Sequence, residues 1–398
     1  MGGFEKQLEF LRRRVARIEA RYAGPPPAAS LLEGQEVETT LGKHWEIDKV
    51  WPSHARHGSA DVGALVELSD DLLESLEAGF TAPACRWIFL DTETTGLVGG
   101  SGTLAFLIGA GWISPRGFEL KQFFIRDHGE EPSALLALSQ LLANFDVMVT
   151  YNGKAFDAPL LETRFRLARQ KVPFERLRHL DLLFSARRLW KLALERCRLQ
   201  DLESRILGVE RHNDVDGGVI PTLFFEFLHT KDARPLIPVL NHNATDVLSL
   251  ACLTAVVPLA FREPHQVKHA AEMVGLGRWL RNEGRLEEAL HLFRNAINLK
   301  LSEDLVYHTL WQIGTIEKRL GRHDAAVAAW SELTTIVNPF RAQAYEQLAI
   351  YYEHREKNPQ MALEMTRAAL QLGSTGELLK RAARLAEKAS RPKSGRLI

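Results

Sequence analysis

The chain has 398 residues, 45% of them hydrophobic and 25% charged, which is typical of a folded globular protein and excludes a disordered or collagen-like chain. Its 50 basic and 50 acidic residues cancel, so the overall charge gives no sign of nucleic-acid binding. Three distant cysteines without a CxxC pair argue against a disulfide framework or a cysteine zinc site and favour a cytoplasmic location.

The first 84 residues predict a helix followed by a lead-in segment. Apolar residues recur at helical spacing over residues 4–22, and a Gly-Pro-Pro-Pro run ends this N-terminal helix at about residue 24. The charges in this stretch argue against a signal peptide. Residues 31–84 mix short strand-like pieces with a helical stretch near residues 70–78, and they carry no recognisable chemical motif.

Residues 85–261 predict an α/β domain with a mixed sheet flanked by helices. The runs RWIFLD, LAFLIGAGWI and FELKQFFIR are strand-like and are separated by turn residues, which predicts a meander. A helix at 132–144, a strand at 146–151, a helix at 155–169 and a short strand at 179–182 follow, and then helices to about residue 261. The nearly apolar stretch from Val247 to Phe261 is shorter than the ~20 residues that span a membrane, so it predicts a buried helix.

The last part of the chain, residues 265–390, contains internal repeats. Gly284–Ile297 aligns with Gly321–Thr334 at an offset of 37 residues, and Gly277 aligns with Gly314 at the same offset. A weaker third copy contains Ala362. Small residues at fixed positions of a period in the thirties are typical of paired helices. The sequence therefore predicts an all-α tetratricopeptide-like solenoid, an architecture that usually binds a protein partner.

Two carboxylates stand at the end of the first strand of the α/β domain. Asp91 and Glu93 in DTETTG are two residues apart, so they point to the same face of the strand. Neighbouring carboxylates repel each other, and a divalent cation between them would remove that penalty. Gly96 ends the strand and leaves space for a ligand.

Two later segments add polar side chains. YNGKAFD supplies Asn152 and Asp157 at the start of a helix that follows a strand, and NHNATD supplies His242 and Asp246 on one helix face. Each signal alone has an ordinary explanation, because an acid in the first turn of a helix interacts with the helix dipole and an i,i+4 pair is usually solvated. In this order within one α/β domain, the three segments together indicate a functional site.

The three segments resemble the motifs of the DEDD superfamily of 3′-to-5′ exonucleases, which have a ribonuclease H-like fold. By position, Asp91, Glu93, Asp157 and Asp246 match the four metal-binding carboxylates of that family. His242 lies four residues before the last acid, where one subclass has a tyrosine. The histidine subclass has its histidine one residue earlier, which here is an asparagine. The chain fits neither subclass cleanly, and the assignment of the catalytic base stays open.

A wider resemblance covers residues 35–260. Segments such as VETTLGKHWEI, FFIRDHGEEPSAL and HLDLLFSARRLW look like those of the bacterial YprB-type ribonuclease H-like proteins. Members of that family often carry tetratricopeptide repeats after the nuclease-like domain. The resemblance therefore implies a ribonuclease H-like exonuclease domain over residues 85–261 and a metal-dependent chemistry.

The resemblance also implies hydrolysis of a phosphodiester bond with two Mg²⁺ or Mn²⁺ ions, which prefer oxygen ligands. His242 is a candidate for taking a proton from the attacking water or orienting it, and a core or capping role is the alternative. Eight further residues are expected to contact the substrate: Thr92, Thr94, Gly96, Asn152, Phe156, Asp181, Arg187 and Arg188. Asp181 has an equal alternative as the cap of the helix that follows it.

A local charge excess adds to this picture. Residues 162–211 hold 13 basic and 7 acidic residues, which predicts contacts with a nucleic-acid backbone, although arginine-rich helix surfaces are common. Tyr151, Phe156 and Trp190 are candidates either for stacking on unpaired bases or for the core. We therefore expect a nuclease, most specifically a 3′-to-5′ exonuclease on single-stranded DNA or RNA. The alternatives are a non-cleaving nucleic-acid-binding scaffold and an endonuclease of the same fold.

Overall fold

The computed structural model describes residues 32–77, 81–96, 102–212, 214–373 and 375–390. The helix expected over residues 1–24 lies outside the described residues. The chain divides into two compact units. Among the described residues, the first unit joins residues 32–187 with residues 196–262, and the second joins residues 188–195 with residues 263–390.

A seven-stranded mixed sheet forms the centre of the first unit. Its strands are β1 (Gln35–Thr39), β2 (Gly42–Pro52), β5 (Trp87–Thr94), β6 (Ala105–Ser114), β7 (Gly117–Phe124), β8 (Val147–Thr150) and β9 (Arg178–Asp181), in the order β1-β2-β7-β6-β5-β8-β9. The first five strands of this order pair antiparallel, whereas β8 and β9 run parallel to β5. The predicted α/β fold with a mixed sheet is confirmed. The short strands β3 (Arg56–His57) and β4 (Ala60–Asp61) form a separate hairpin.

Part of the predicted lead-in segment belongs to the central sheet. β2 pairs with β7 from Trp45 to Pro52, and β1 covers the other side of β2. Trp45 and Ile47 pack against the main core of the unit. The helical stretch expected near residues 70–78 is a single 3-10 turn, Leu72–Ser75, in the described part of that stretch.

Helices cover the sheet, which explains why its central strands are apolar on both faces. The helices of the first unit are α1 (Val62–Val66), α2 (Glu131–Leu142), α3 (Asp157–Leu167), α4 (Leu182–Trp190), α5 (Leu199–Leu202), α6 (Ile220–Thr230) and α7 (Ile237–Arg262), and α4 continues into the second unit. A π-helical turn, Glu203–Leu207, follows α5 directly.

Helix α7 is the long buried helix of the first unit. The helical stretch Arg234–Arg262 is long and apolar enough to cross a membrane by length and composition alone, but 72% of its most apolar window is buried inside the protein. This agrees with the predicted buried helix, although α7 begins ten residues before the apolar stretch noted in the sequence. It therefore serves as a core helix of this unit.

Two glycines in β6 allow α7 to lie close to the sheet. A Cβ at Gly109 would collide with the side-chain amide of Asn243, and one at Gly111 would lie 2.7 Å from Val247. Gly109 is the cross-strand partner of Asp91 on β5. The small residues thus bring the middle of α7 against the strand that carries the first two carboxylates.

Consecutive helices stack in the second unit. They are α8 (Ala270–Asn282), α9 (Leu286–Asn298), α10 (Glu303–Arg319), α11 (His323–Thr335), α12 (Arg341–His354), α13 (Pro359–Leu372) and α14 (Gly376–Ser390), and each packs against the next. The predicted all-α region of consecutive packed helices is confirmed. Gly277 faces the ring of Phe293, and its repeat equivalent Gly314 faces the ring of Trp330, so each glycine makes room for the aromatic side chain of the following helix.

Candidate functional site

Asp91 and Glu93 lie at the carboxyl end of β5, as the alternation of the strand predicts. Their partners on β6 are Gly109 and Leu107, and the pairing becomes irregular directly after Glu93. β8 runs parallel to β5, so the turn that follows β8 emerges at the same edge of the sheet. The second motif begins in that turn.

The turn after β8 brings Asp157 to the end of β5. Asn152 has a left-handed backbone with φ of 66°, a conformation that asparagine tolerates better than most residues. Asp157 is the first residue of α3, and its carboxylate accepts a hydrogen bond of 2.5 Å from the Thr92 hydroxyl. Thr92 lies between the two acids of β5, so this bond ties the first motif to the second.

The third motif reaches the same place from α7. Asn243 donates a hydrogen bond of 2.8 Å from its side-chain amide to Asp91 Oδ2. Gln122 on β7 in turn donates a bond of 2.8 Å to Asn243 Oδ1. Both amide side chains are fully buried. These two consecutive hydrogen bonds therefore fix the orientation of the Asp91 carboxylate.

Burial among other acids raises the pKa of all four carboxyls. The pKa of Asp91 lies well above its usual range because the side chain is buried and because Asp246, Glu93 and Asp157 repel its ionised form. Burial is also the largest cause for the other three: it raises the pKa of Glu93 to about 8 and that of Asp157 to about 6, and it raises the pKa of Asp246. The cluster thus resists full ionisation unless a cation compensates it.

His242 lies inside this cluster, and one of its ring nitrogens, Nδ1, is hydrogen-bonded to Asp214. Its Nδ1 is 2.6 Å from Asp214 Oδ1, and its Nε2 is 3.8 Å from Glu93 Oε1 and 3.6 Å from Asp246 Oδ2. Burial alone would lower the pKa of His242, but the hydrogen bond to Asp214 and the charges of Asp246 and Glu93 raise it to about 9. The imidazole is therefore protonated in the metal-free protein at neutral pH.

Three further charged residues complete the site and were missed by the sequence analysis. Arg211 forms an ion pair with Asp246 and binds the buried Glu203 at 2.5–2.6 Å. Its third acidic neighbour is Asp214, at 3.3 Å. These residues lie in and after the π-helical turn, with no spacing pattern that links them to the three motifs. Asn243, by contrast, stands inside the third motif, next to His242.

A cleft of about 600 Å³ opens beside the acids. Residues from the end of β5, from the turn after β8, from α3 and from the start of α6 line it: Asp91, Thr92, Glu93, Thr94, Gly96, Thr103, Tyr151, Asn152, Ala155, Phe156, Asp157, Pro159, Leu160, Thr163, Gly217, Ile220 and Pro221. Phe156 is 56% exposed there, next to Asp157. The cleft thus combines an acidic end with an apolar wall.

Five of the eight expected substrate contacts line this cleft: Thr92, Thr94, Gly96, Asn152 and Phe156. Asp181 does not. It is buried, and its carboxylate accepts hydrogen bonds from the backbone N–H groups of Asn152, Lys154 and Leu183. The expected substrate contact is therefore wrong for Asp181, which caps the following helix and fixes the turn of the second motif.

Neither of the two expected arginine contacts lines the cleft, and Trp190 takes the core role that was its alternative. Arg187 is exposed but does not line the cleft, and Arg188 lies over the ring of Trp279 in the second unit. Trp190 is buried, and the Tyr151 hydroxyl donates to a backbone carbonyl. Tyr151 and Phe156 both line the cleft, and Phe156 is the more exposed of the two.

Much of the predicted basic excess is neutralised inside the first unit. Arg164, Arg166, Arg178 and Arg198 each form an ion pair with a nearby acid. Arg211 faces the acidic cluster. A continuous basic surface therefore does not follow from the local charge count, and an interaction with phosphates depends on the cleft itself.

The donor set fits a hard divalent cation in its chemistry. In the described residues of this part of the unit, two cationic side chains, Arg211 and His242, face six carboxylates. The carboxylates belong to Asp91, Glu93, Asp157, Glu203, Asp214 and Asp246. Oxygen ligands of this kind suit Mg²⁺ and Mn²⁺. Within the described ranges, however, no group of three or more His, Cys, Asp or Glu side chains is arranged to hold a metal ion as it stands. Thr92 and Arg211 engage Asp157 and Asp246 instead.

Comparison with known proteins finds similarity to a family model, to a curated protein and to a solved structure. The model of the RNase_H superfamily matches residues 88–257. The uncharacterized protein YprB of Bacillus subtilis (strain 168) is 35% identical over 288 residues, which cover 71% of this chain and 68% of YprB. A chain in the crystal structure of the APC/C hetero-tetramer Cut9-Hcn1 is 15% identical with a TM-score of 0.28, and the match covers 67% of this chain and 57% of that one.

Proposed function

This chain belongs to the RNase H superfamily, and from that premise we propose that it is a two-metal-dependent nuclease of the DEDD type, a 3′-to-5′ exonuclease on single-stranded DNA or RNA. The observation that carries the proposal is the convergence of Asp91, Glu93, Asp157 and Asp246, from three separate segments, on one edge of the sheet beside an open cleft. A structural role gives no reason to bury four acids whose pKa values are all raised by that burial.

In this proposal the four carboxylates hold the cations. When bound, Mg²⁺ or Mn²⁺ supplies Lewis acidity toward the scissile phosphate and the attacking water. Asn243 and Gln122 keep the Asp91 carboxylate oriented, and the Thr92 hydroxyl orients Asp157. The protein thus holds two of its metal ligands, Asp91 and Asp157, through hydrogen bonds to neutral side chains, which do not compete with a cation for charge.

His242 is the proposed proton acceptor. Asp214 fixes its Nδ1, so that Nε2 is the nitrogen directed toward Glu93 and Asp246. The charges of these two acids contribute to its raised pKa. Neutralising them removes that contribution, so the imidazole becomes able to release its proton and act as a base nearer neutral pH.

The substrate class follows from the wall of the cleft. Phe156 is exposed next to Asp157, and a base can stack on a ring in that position irrespective of its identity. The rest of this wall offers few charged groups to the hydrogen-bonding edges of a base, because Pro159, Leu160 and Pro221 are apolar. We therefore propose that an unpaired end of a strand enters the cleft without strong sequence preference.

The test is a cleavage assay with the full chain, Mg²⁺ or Mn²⁺, and 5′-labelled single-stranded DNA and RNA. We expect shortening from the 3′ end, and a loss of at least about 100-fold in rate for Asp91→Asn and Asp157→Asn. Asp146→Asn is the matched control, because Asp146 pairs with Arg86 on the surface of the same unit. Unchanged activity in both site variants would refute the proposal.

The same assay separates the two alternatives. Tight binding of oligonucleotides without cleavage under either metal would favour a non-cleaving scaffold, for which the ion pair between Arg211 and Asp246 is the supporting observation. Cutting of a circular single strand would identify an endonuclease, because a circle offers no end.

We also propose that the helical repeats recruit a protein partner and that the protein acts in the cytoplasm. None of the three cysteines, all of which lie among the described residues, forms a disulfide, which suits a reducing compartment. Val337, 82% exposed between α11 and α12, is a position at which a photo-crosslinking side chain can be placed without disturbing the core. Crosslinks to one defined protein in cell extract would support the partner, and crosslinks absent at every repeat would count against it.

A further inference from the structure

Asp246 differs from the other three acids of the proposed metal site in its partners. Arg211 binds Asp246 Oδ1, and the Nε2 atom of His242 lies 3.6 Å from Oδ2. One oxygen of this carboxylate is therefore paired with a guanidinium, and the other faces the imidazole of His242. Asp91 and Asp157, by comparison, are hydrogen-bonded to the neutral side chains of Asn243 and Thr92.

Arg211 has a second acid that holds it independently of Asp246. Glu203 is only 1% exposed, and its two oxygens accept bonds from Arg211 Nε and Nη2 at 2.6 and 2.5 Å. Asp214 lies 3.3 Å from the remaining Nη1 atom. The guanidinium therefore keeps two acidic partners when its bond to Asp246 is broken.

We propose that Arg211 occupies the place of a divalent cation on Asp246 in the metal-free protein, and that metal binding at Asp246 requires this guanidinium to withdraw onto Glu203 and Asp214. This inference rests on the proposed function, because it concerns the same four carboxylates. Arg211 is thus a positioning residue that holds the last acid in place before the metal arrives and sets the affinity with which the metal binds.

The physical reason is competition for one anion in a low-dielectric site. A single carboxylate oxygen that is bound to a guanidinium has to give up that bond before it can bind a metal, so the free energy of the ion pair is subtracted from that of metal binding. Glu203 reduces this cost, because the displaced charge stays buried next to an acid. A stronger bond between Arg211 and Asp246 therefore lowers the affinity of Asp246 for a metal ion.

The experiment measures Mn²⁺ binding to the full chain by electron paramagnetic resonance of the free ion, together with thermal unfolding with and without Mn²⁺. Arg211→Met removes the competing charge while keeping an unbranched side chain of similar reach. We expect Mn²⁺ to bind at least about tenfold more tightly than in the wild type. Without metal this variant should unfold at a lower temperature, and Mn²⁺ should raise its unfolding temperature by more than it raises that of the wild type.

Two further variants complete the design. Arg234→Met is the matched control, because Arg234 pairs with Asp232 in the same unit outside the cleft, and its Mn²⁺ affinity should equal that of the wild type. Arg211→Lys keeps the charge but loses the forked geometry, so we expect an affinity between those of the wild type and Arg211→Met. If the methionine variant does not fold, the lysine variant decides the question.

The outcomes separate this inference from the proposed function. Tighter Mn²⁺ binding in the Arg211 variants, or binding in them but not in the wild type, supports the inference. Wild-type binding with equal or weaker binding in both Arg211 variants overturns the inference and leaves the proposed function standing. No Mn²⁺ binding to any variant overturns both.

Discussion

Replacing Glu93 with glutamine should stabilise the metal-free protein at neutral pH. Burial raises the pKa of Glu93 from 4.5 to about 8, so the folded protein keeps a proton on this carboxyl over a pH range in which the unfolded chain has released it. Stability therefore falls as the pH rises from 4.5 toward 8. A glutamine has no proton to lose, and it removes this pH-dependent cost.

The magnitude follows from the two pKa values. At pH 7 the unfolded carboxyl is about 2.5 pH units above its pKa while the folded one is still protonated, which corresponds to about 3 kcal/mol of lost stability. The attraction of the His242 cation is already contained in the pKa of about 8, and the folded carboxyl is neutral at pH 7, so the expected net gain stays at about 3 kcal/mol. At pH 5 the same reasoning leaves less than about 1 kcal/mol.

The assay is urea unfolding at pH 5 and pH 7 with a chelator present, with hydrogen exchange of peptides from β5 and β6 reporting on the first unit alone. Glu38→Gln, at an exposed position of β1, is the matched control and should show no pH-dependent gain. With saturating Mn²⁺ the order should reverse, because the glutamine is a poor ligand. A destabilised Glu93→Gln protein at pH 7, or a gain that is equal at both pH values, would refute the reasoning.

Three further predictions concern the neighbours of the acids. Asp214→Asn should lower the pKa of His242, which is about 9 in the metal-free protein, by about one unit in an NMR titration, since the hydrogen bond and charge of Asp214 help to raise it. Gly109→Ala should destabilise the first unit by about 2 kcal/mol in urea unfolding, because the new Cβ collides with the amide of Asn243. Phe156→Ala should weaken binding of single-stranded oligonucleotides about tenfold, measured by fluorescence anisotropy, with little change in stability.

Two of these predictions have a matched control, and the third has a result that would contradict it. Gly129→Ala is the control for overpacking, because a Cβ there makes only an ordinary contact of 3.6 Å. Phe184→Ala removes an aromatic ring that is 53% exposed but does not line the cleft, so it should leave oligonucleotide binding unchanged. An unshifted His242 titration in Asp214→Asn would contradict the assignment of the hydrogen bond as a cause.

The sequence predicted those parts of the candidate site that depend on residues close to one another in the chain. Strand alternation alone places Asp91 and Glu93 on one face of β5. Helical spacing alone places His242 and Asp246 on one face of α7. The offset of 37 residues between Gly277 and Gly314 marks the repeats because each glycine meets a large ring of the next helix. These features depend on residues close to one another in the chain, so a reader of the sequence can find them.

The parts that escaped prediction depend on long-range contacts. Arg211 meets Asp246 across 35 residues, and nothing near Arg211 in the sequence marks it among the other arginines of its region. Asp181 lies beside an apolar run and has the position of a ligand, yet the turn of the second motif folds onto it and takes up its oxygens. The pairing of β2 with β7 joins residues separated by more than sixty positions.

The pairing of β2 with β7 has a practical consequence for shortened versions of the protein. A chain that began at residue 85 would keep all four acids but would leave β7 as the outermost strand, with eight residues of unpaired backbone along an apolar sheet. Open edges of this kind recruit strands from other molecules and lead to aggregation. Efforts to crystallise the first unit alone therefore have to retain Gln35–Pro52, even though none of these residues lines the cleft.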